Sequence, residues 1–219
     1  MEKSYSASLD RRNLLKHAGA AGLSLAAGSF VVPSLAQAQS GPPLSGRFAP
    51  GGDYLIAQPG LRIPDRVDLG NGFIQPLEFY DRNGKARVMS DYRGKVTLIQ
   101  FWRTNCHGCQ TEVPALDRLA GELEGPKFEI LPIALAEDSL SAIDQFYSRK
   151  KLRHSEVLRD RTSFVFNNIA PRHPRYNAQA TPTTVLVGAD GNALGAYVGV
   201  AGWELPAGRA LLDYYIARA

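Results

Sequence analysis

Residues 96–123 constrain what this chain can fold into more than any other stretch. Val96-Thr-Leu-Ile-Gln-Phe-Trp102 is an apolar run of strand length, and Gln110 to Leu123 places Val113, Leu116, Leu119 and Leu123 on one helical face. Between them stand Cys106-His107-Gly108-Cys109, which hold the only two cysteines of the chain. Tetrahedral zinc needs four ligands, and a second cysteine pair is absent. Two thiols this close form a disulfide without closing a long loop. A cysteine at a helix N-terminus also has a lowered pKa. The pattern points to thiol–disulfide exchange. A purely structural bridge explains it less well, because so small a loop adds little stability.

The segments around this junction alternate. Leu77–Tyr80 reads as a strand, Asp81-Arg-Asn83-Gly84-Lys85 as a hairpin turn with positive φ at Asn-Gly, and Arg87–Met89 as the return. Phe128–Leu135 is a buried strand. Leu140, Ile143, Phe146 and Tyr147 mark a helix capped by Asp138 or Ser139. A short strand at Glu156–Leu158, a helix and loop over 162–178, and strands at Thr183–Gly188 and Ala193–Val198 follow. A closing helix over Leu205–Ala217 faces Leu211, Leu212, Tyr215 and Ile216 inward. Strands alternating with helices predict an α/β sheet with antiparallel hairpins at an edge. Residues 39–72, heavy in Pro and Gly, read as an irregular extension ahead of a domain over 73–219.

The first 38 residues carry a different signal. Asp10-Arg11-Arg12-Asn13-Leu14-Leu15-Lys16 precedes a weakly apolar stretch from Ala18 to Val32, and Ala36-Gln37-Ala38 follows. These are the parts of a signal peptide, and the paired arginines resemble the twin-arginine export signal. Cleavage after Ala38 and a periplasmic location are expected; retention as an anchor is the alternative. The apolar run falls short of the roughly 20 residues a spanning helix needs. No other stretch is apolar enough to span a membrane, so no stable insertion is expected after cleavage. No cysteine follows the signal to take a lipid. Of the formal charge of +4, the signal holds +2. What remains forms no dense basic stripe, so a nucleic-acid partner is not expected. Hydrophobic residues make up 44 % of the chain, enough for a packed core.

Leu98-Ile-Gln-Phe-Trp-Arg-Thr-Asn-Cys106-His-Gly-Cys109-Gln-Thr-Glu112-Val-Pro114 resembles the TlpA/ResA branch of the thioredoxin-like family. The later Ala180-Thr181-Pro182-Thr183-Thr184-Val-Leu-Val matches that family's cis-proline segment. The resemblance runs from about Phe73 to the C-terminus. It implies a thioredoxin-like fold: a central mixed β-sheet flanked by helices, with an N-terminal β-hairpin addition. It also implies an exported thiol–disulfide oxidoreductase, mostly acting as a reductase. The redox-active disulfide Cys106–Cys109 would serve in place of any separate cofactor. Partners would be client proteins with cysteine pairs and a membrane electron donor or acceptor.

Residue by residue, the resemblance makes Cys106 the nucleophile and Cys109 the resolving cysteine. Glu112 lies three residues after Cys109, on the same helical face. The family places there a partly buried glutamate that exchanges protons with the thiols. Thioredoxin's own strand aspartate is Gln100 here, which cannot exchange a proton usefully. Trp102 is expected to pack beneath the site, and Asn105 stands where relatives often carry a second tryptophan. Pro182 is the expected cis-proline, and the backbone of Thr181 is expected to pair with an extended client. Two departures bear on the direction of electron flow. His107, if charged, stabilises the Cys106 thiolate and makes the pair more oxidising. Gly108 replaces the usual proline and loosens the turn.

The alternative is a copper chaperone of the same fold, holding Cu(I) with Cys106, Cys109 and a histidine. Its usual cysteine spacing is one residue wider. A peroxidase is a third option, but Arg103 stands where that chemistry needs a threonine. His154 and His173 are expected at surface or structural positions.

Overall fold

The computed structural model describes residues 41–48, 53–57, 60–70, 72–173 and 175–219. The expected signal, including Arg11 and Arg12, lies outside the described residues. Among the described residues no helix is long and apolar enough to cross a membrane.

After a 3₁₀ turn at Gly46–Phe48, the chain forms β1 (Tyr54–Ile56), β2 (Arg66–Asp68), β3 (Ile74–Pro76), β4 (Phe79–Asp81) and β5 (Ala86–Arg87). β6 (Val96–Trp102) then leads to α1 (Cys109–Leu123), β7 (Phe128–Ala134), α2 (Leu140–Lys150), β8 (Leu158–Arg159) and α3 (Phe164–Ile169). β9 (Thr183–Val187), β10 (Ala193–Val198) and α4 (Pro206–Ile216) close the chain. The main sheet has the order β1-β10-β9-β6-β7-β8-β4-β5, while β2 and β3 pair separately. β6, β7 and β8 run parallel, joined by crossovers through α1 and α2. β9 and β10 are antiparallel additions beside β6.

Every residue of β6 is buried, so its alternation sorts side chains between two packed faces. Val96 and Leu98 meet Leu116, Leu119, Leu211 and Leu212 of α1 and α4. Ile99 and Phe101 meet Phe79, Val165 and Phe166 on the other side. Trp102 joins Cys109, Val113, Ile143 and Phe146 in a third cluster between α1 and α2. The same alternation turns Gln100 toward α1, where it reaches Glu112.

Described residues of the stretch read as an irregular extension are built into this fold. β1 pairs with β10 in the register Tyr54↔Tyr197, Leu55↔Ala196, Ile56↔Gly195. Phe48 is 1 % exposed, with its ring 4.8 Å from that of Trp203. Ile63 is also buried. A three-residue strand between Pro/Gly turns carries no periodic signal of its own, and only its partner reveals it. That partner includes Gly195, where an added Cβ would overlap the Tyr54 ring.

The 81–85 hairpin also differs from expectation. Gly84 alone has positive φ, at +81°, and its N–H donates to the Asp81 carbonyl at 3.0 Å. The turn is therefore of the type I plus glycine-bulge kind, and Asn83 keeps an ordinary conformation. Asp81 Oδ1 accepts the N–H groups of Asn83 and Lys85 at 2.9 Å each and holds it closed.

Candidate active site

Cys106 and Cys109 form a disulfide, with Cα atoms 5.2 Å apart. Cys106 is half-buried, while Cys109 is fully buried in the Trp102 cluster. The Cys109 N–H points at Cys106 Sγ, at 3.3 Å. A thiolate on Cys106 would meet a helix-terminal amide there, the arrangement that favours the charged sulfur.

Across from Cys106 lies the Thr181–Pro182 segment, whose peptide bond is cis. The Thr181 carbonyl oxygen is 3.3 Å from Cys106 Sγ, and Pro182 is buried. Arg103 Nε donates to Thr181 Oγ1 at 3.4 Å, and Arg103 Nη1 is 3.8 Å from Glu137 Oε1. A cleft of about 290 Å³ opens beside these groups, lined also by Ser163, Asn167 and Gln179.

Gly108 has φ −63° and ψ −35°, ordinary helical values that any residue adopts. Its glycine is needed for space, not for a loose turn: an added Cβ would stand 2.8 Å from Val200 Cγ2 and 3.0 Å from Pro182 Cδ. Gly108→Ala is therefore expected to destabilise the oxidised protein by about 1–3 kcal/mol through overpacking. The midpoint of denaturant unfolding reads this, and trimming Val200 to alanine in the same chain should restore part of it.

Glu112 is 1 % exposed and three residues beyond Cys109 on α1. Its Oε1 accepts the Ala201 N–H at 2.8 Å and the Gly202 N–H at 3.4 Å, and its Oε2 accepts Gln100 Nε2 at 3.3 Å. Burial pushes its pKa up to about 7, against the pull of those three donors, and the charge of Glu204 adds to the rise. Gln100 Oε1 is buried without a hydrogen-bond partner. By turning its amide, Gln100 can donate to a carboxylate or accept from a protonated Glu112. The pair is suited to either protonation state.

Trp102 is fully buried, with its ring 4.8 Å from that of Phe146. His107 is exposed, and its carbonyl accepts the Gln110 N–H at 3.2 Å. His154 is exposed, and His173 stacks on Tyr176 at 4.7 Å.

The clamp that holds Thr104 escaped the sequence. Ser139 caps α2 by accepting the Ala142 N–H at 3.1 Å, which leaves Asp138 free for another task. Asp138 accepts both the N–H and the hydroxyl of Thr104 at 2.6 Å, while Gln110 Nε2 donates to the Thr104 carbonyl at 2.6 Å. This clamp holds the segment that delivers Cys106. An aspartate just before a helix cap resembles a cap, and nothing local separates the two roles.

The AhpC/TSA family profile matches residues 73–193. The chain belongs to the AhpC/TSA family. In this chain three residues separate the end of β6 from Cys106, and the first of them, Arg103, stands where peroxidase chemistry needs a threonine. The thiol-disulfide oxidoreductase ResA of Geobacillus kaustophilus is 33 % identical over 111 residues, covering 51 % of this chain and 59 % of that protein. The chain spans about three-fifths of the length of such curated relatives.

Two solved structures share the fold. A putative protein disulfide isomerase from Bacteroides thetaiotaomicron superposes with a TM-score of 0.55 at 17 % identity, covering 75 % of this chain and 93 % of that one. A thioredoxin-family thiol:disulfide interchange protein from Chlorobium tepidum gives 0.54 at 16 %, covering 73 % and 99 %. The fold is thioredoxin-like, with a mixed sheet flanked by helices and the cysteine pair at the start of α1.

Proposed function

We propose that this protein is an exported thiol–disulfide oxidoreductase that exchanges electrons between Cys106/Cys109 and cysteines of client proteins. One observation carries the reading: a disulfide at the N-terminus of α1 with one accessible and one buried sulfur, facing the Thr181 carbonyl. Similarity to ResA, named a thiol-disulfide oxidoreductase, supports it. The twin arginines Arg11-Arg12 support export to the periplasm. Reduction of clients in cytochrome c or metal-site maturation, or general periplasmic redox homeostasis, fits the same site. A membrane electron carrier is the expected donor.

In the reductive direction the Cys106 thiolate attacks one sulfur of a client disulfide. The client's S–S bond breaks, a mixed disulfide forms, and one client thiolate leaves. Cys109 then gives its proton to Glu112 and attacks Cys106 Sγ. The mixed disulfide breaks, the Cys106–Cys109 bond forms, and the second client thiolate leaves. Two electrons have passed to the client, and the departing thiolates take up protons. An extended client lying over Thr181 places a side chain in the cleft between Arg103 and Gln179.

Redox titration of the protein without residues 1–38 tests the reading. One reversible two-electron couple is expected. A potential near −270 mV, that of thioredoxin, indicates a reductase, and one near −120 mV an oxidant, with the settings roughly as known for those proteins. Tight stoichiometric Cu(I) binding without disulfide exchange overturns it in favour of the copper chaperone. That alternative needs a third ligand at the cysteines, and among the described residues no group of three His, Cys, Asp or Glu is placed to hold a metal.

A further inference from the structure

We propose that Arg47, in the segment ahead of the family domain, is a positioning residue for Glu112 and acts on it through a single peptide group. Arg47 Nη1 donates to the Val200 carbonyl at 2.6 Å. The Ala201 N–H of that same peptide unit donates to Glu112 Oε1 at 2.8 Å. A cation thus grips one end of a peptide dipole whose other end holds a buried carboxylate.

The surrounding packing fixes both ends of this connection. Gly46 turns the chain with φ +56°, and Phe48, next to Arg47, is buried against Trp203 and Tyr54. Trp203 follows Ala201 by two residues, and its Nε1 donates to Thr184 Oγ1 at 2.9 Å. Val200 also lies against the C-x-x-C turn, since a Cβ on Gly108 would meet its Cγ2. Arg47 itself is exposed.

A cation on the carbonyl draws electron density from the N–H. The N–H becomes a stronger donor, and the ionised form of Glu112 is favoured. The other groups facing Glu112 are the Gln100 amide from β6, the Gly202 N–H and the charge of Glu204 ahead of α4, and Cys109 stands three residues before it on the same helix. Burial and Glu204 raise its pKa; Arg47 opposes them from outside the core. The extension read as an irregular lead thereby reaches the proton-exchanging group of the site. This inference rests on the reading in which Glu112 exchanges protons.

The test is a carbon-13 NMR titration of the Glu112 carboxyl in the full chain with the pair oxidised. Arg47→Gln should raise the midpoint by about half a pH unit, the scale of a modest change in one charge-assisted hydrogen bond. Arg47→Lys should restore most of the original value. A merely structural Arg47 would lower the melting temperature and leave the midpoint in place, and an unmoved midpoint in Arg47→Gln overturns the proposal. The titration needs no redox turnover. Failure of the oxidoreductase reading is seen separately, as absence of disulfide exchange by the unaltered chain, which leaves the titration midpoints readable.

Discussion

Replacing Cys106 by serine should bring disulfide exchange down to the uncatalysed background, a loss of about 10³-fold or more. A hydroxyl at this position is un-ionised near neutral pH and is a poor nucleophile toward sulfur, so the first step has no substitute in this site. Cys109, fully buried beneath Trp102, is not reachable by a client. Cys109→Ser should behave differently. Cys106 still attacks, no second thiol resolves the adduct, and a mixed disulfide with a client or a small disulfide accumulates. Reduction of a model disulfide protein, followed together with mass spectrometry of the adduct, separates the two variants. Equal loss without any adduct in Cys109→Ser would reverse the assignment of nucleophile and resolving cysteine.

Glu112→Gln should change both stability and rate, in opposite directions at alkaline pH. In the folded protein burial raises the Glu112 pKa from 4.5 to about 7. Below the unfolded value both states hold the proton, and the full stability is present. As pH rises from about 4.5 to about 7 the unfolded chain releases its proton first, so stability is lost across that window and is flat above it. At one pKa unit per 1.36 kcal/mol the loss is about 3 kcal/mol. Glutamine has no proton to lose. Its oxygen can keep the Ala201 and Gly202 donors, and its amide can donate to Gln100 Oε1, which now has no partner. Thermal unfolding of the oxidised proteins should therefore give similar stability at pH 4–5 and a more stable variant, by about 3 kcal/mol, at pH 8. The resolving step should slow by about 10²-fold, because Cys109 loses its proton acceptor. The rate inflection near pH 7 should vanish with it. Parallel stability curves for the two proteins would remove Glu112 from the list of groups that titrate on folding.

How much of this was legible depended on the range of the physics behind each feature. β6 and α1 could be read because burial on both faces imposes an apolar run and burial on one face imposes a helical period. Ser139 and Gly84 carry cap and turn chemistry that acts within a few residues. β1 was not legible: Tyr54-Leu55-Ile56 becomes a strand only against Tyr197, Ala196 and Gly195, far away in the chain. Asp138 looked like a helix cap because the local sequence cannot show that Thr104 arrives beside it. Gly108 looked like a flexible turn residue, whereas Val200 and Pro182 leave no room there for a side chain.

The sequence by itself determined the chemistry available to this protein: two cysteines at helix-turn spacing, a glutamate one turn on, a proline segment downstream and a helix to polarise the first sulfur. Those are matters of residue type and short spacing, and they hold before any packing is known. The tertiary structure decided how the site is packed: it buried Cys109 fully against Trp102 and left Cys106 half-buried. It turned Glu112 from a first-turn glutamate into a buried acid with a raised pKa, and it brought Arg47 onto the peptide group that holds that acid. The reason is that burial and electric field are properties of what surrounds a group, and most of what surrounds Glu112 is supplied by residues distant in the chain.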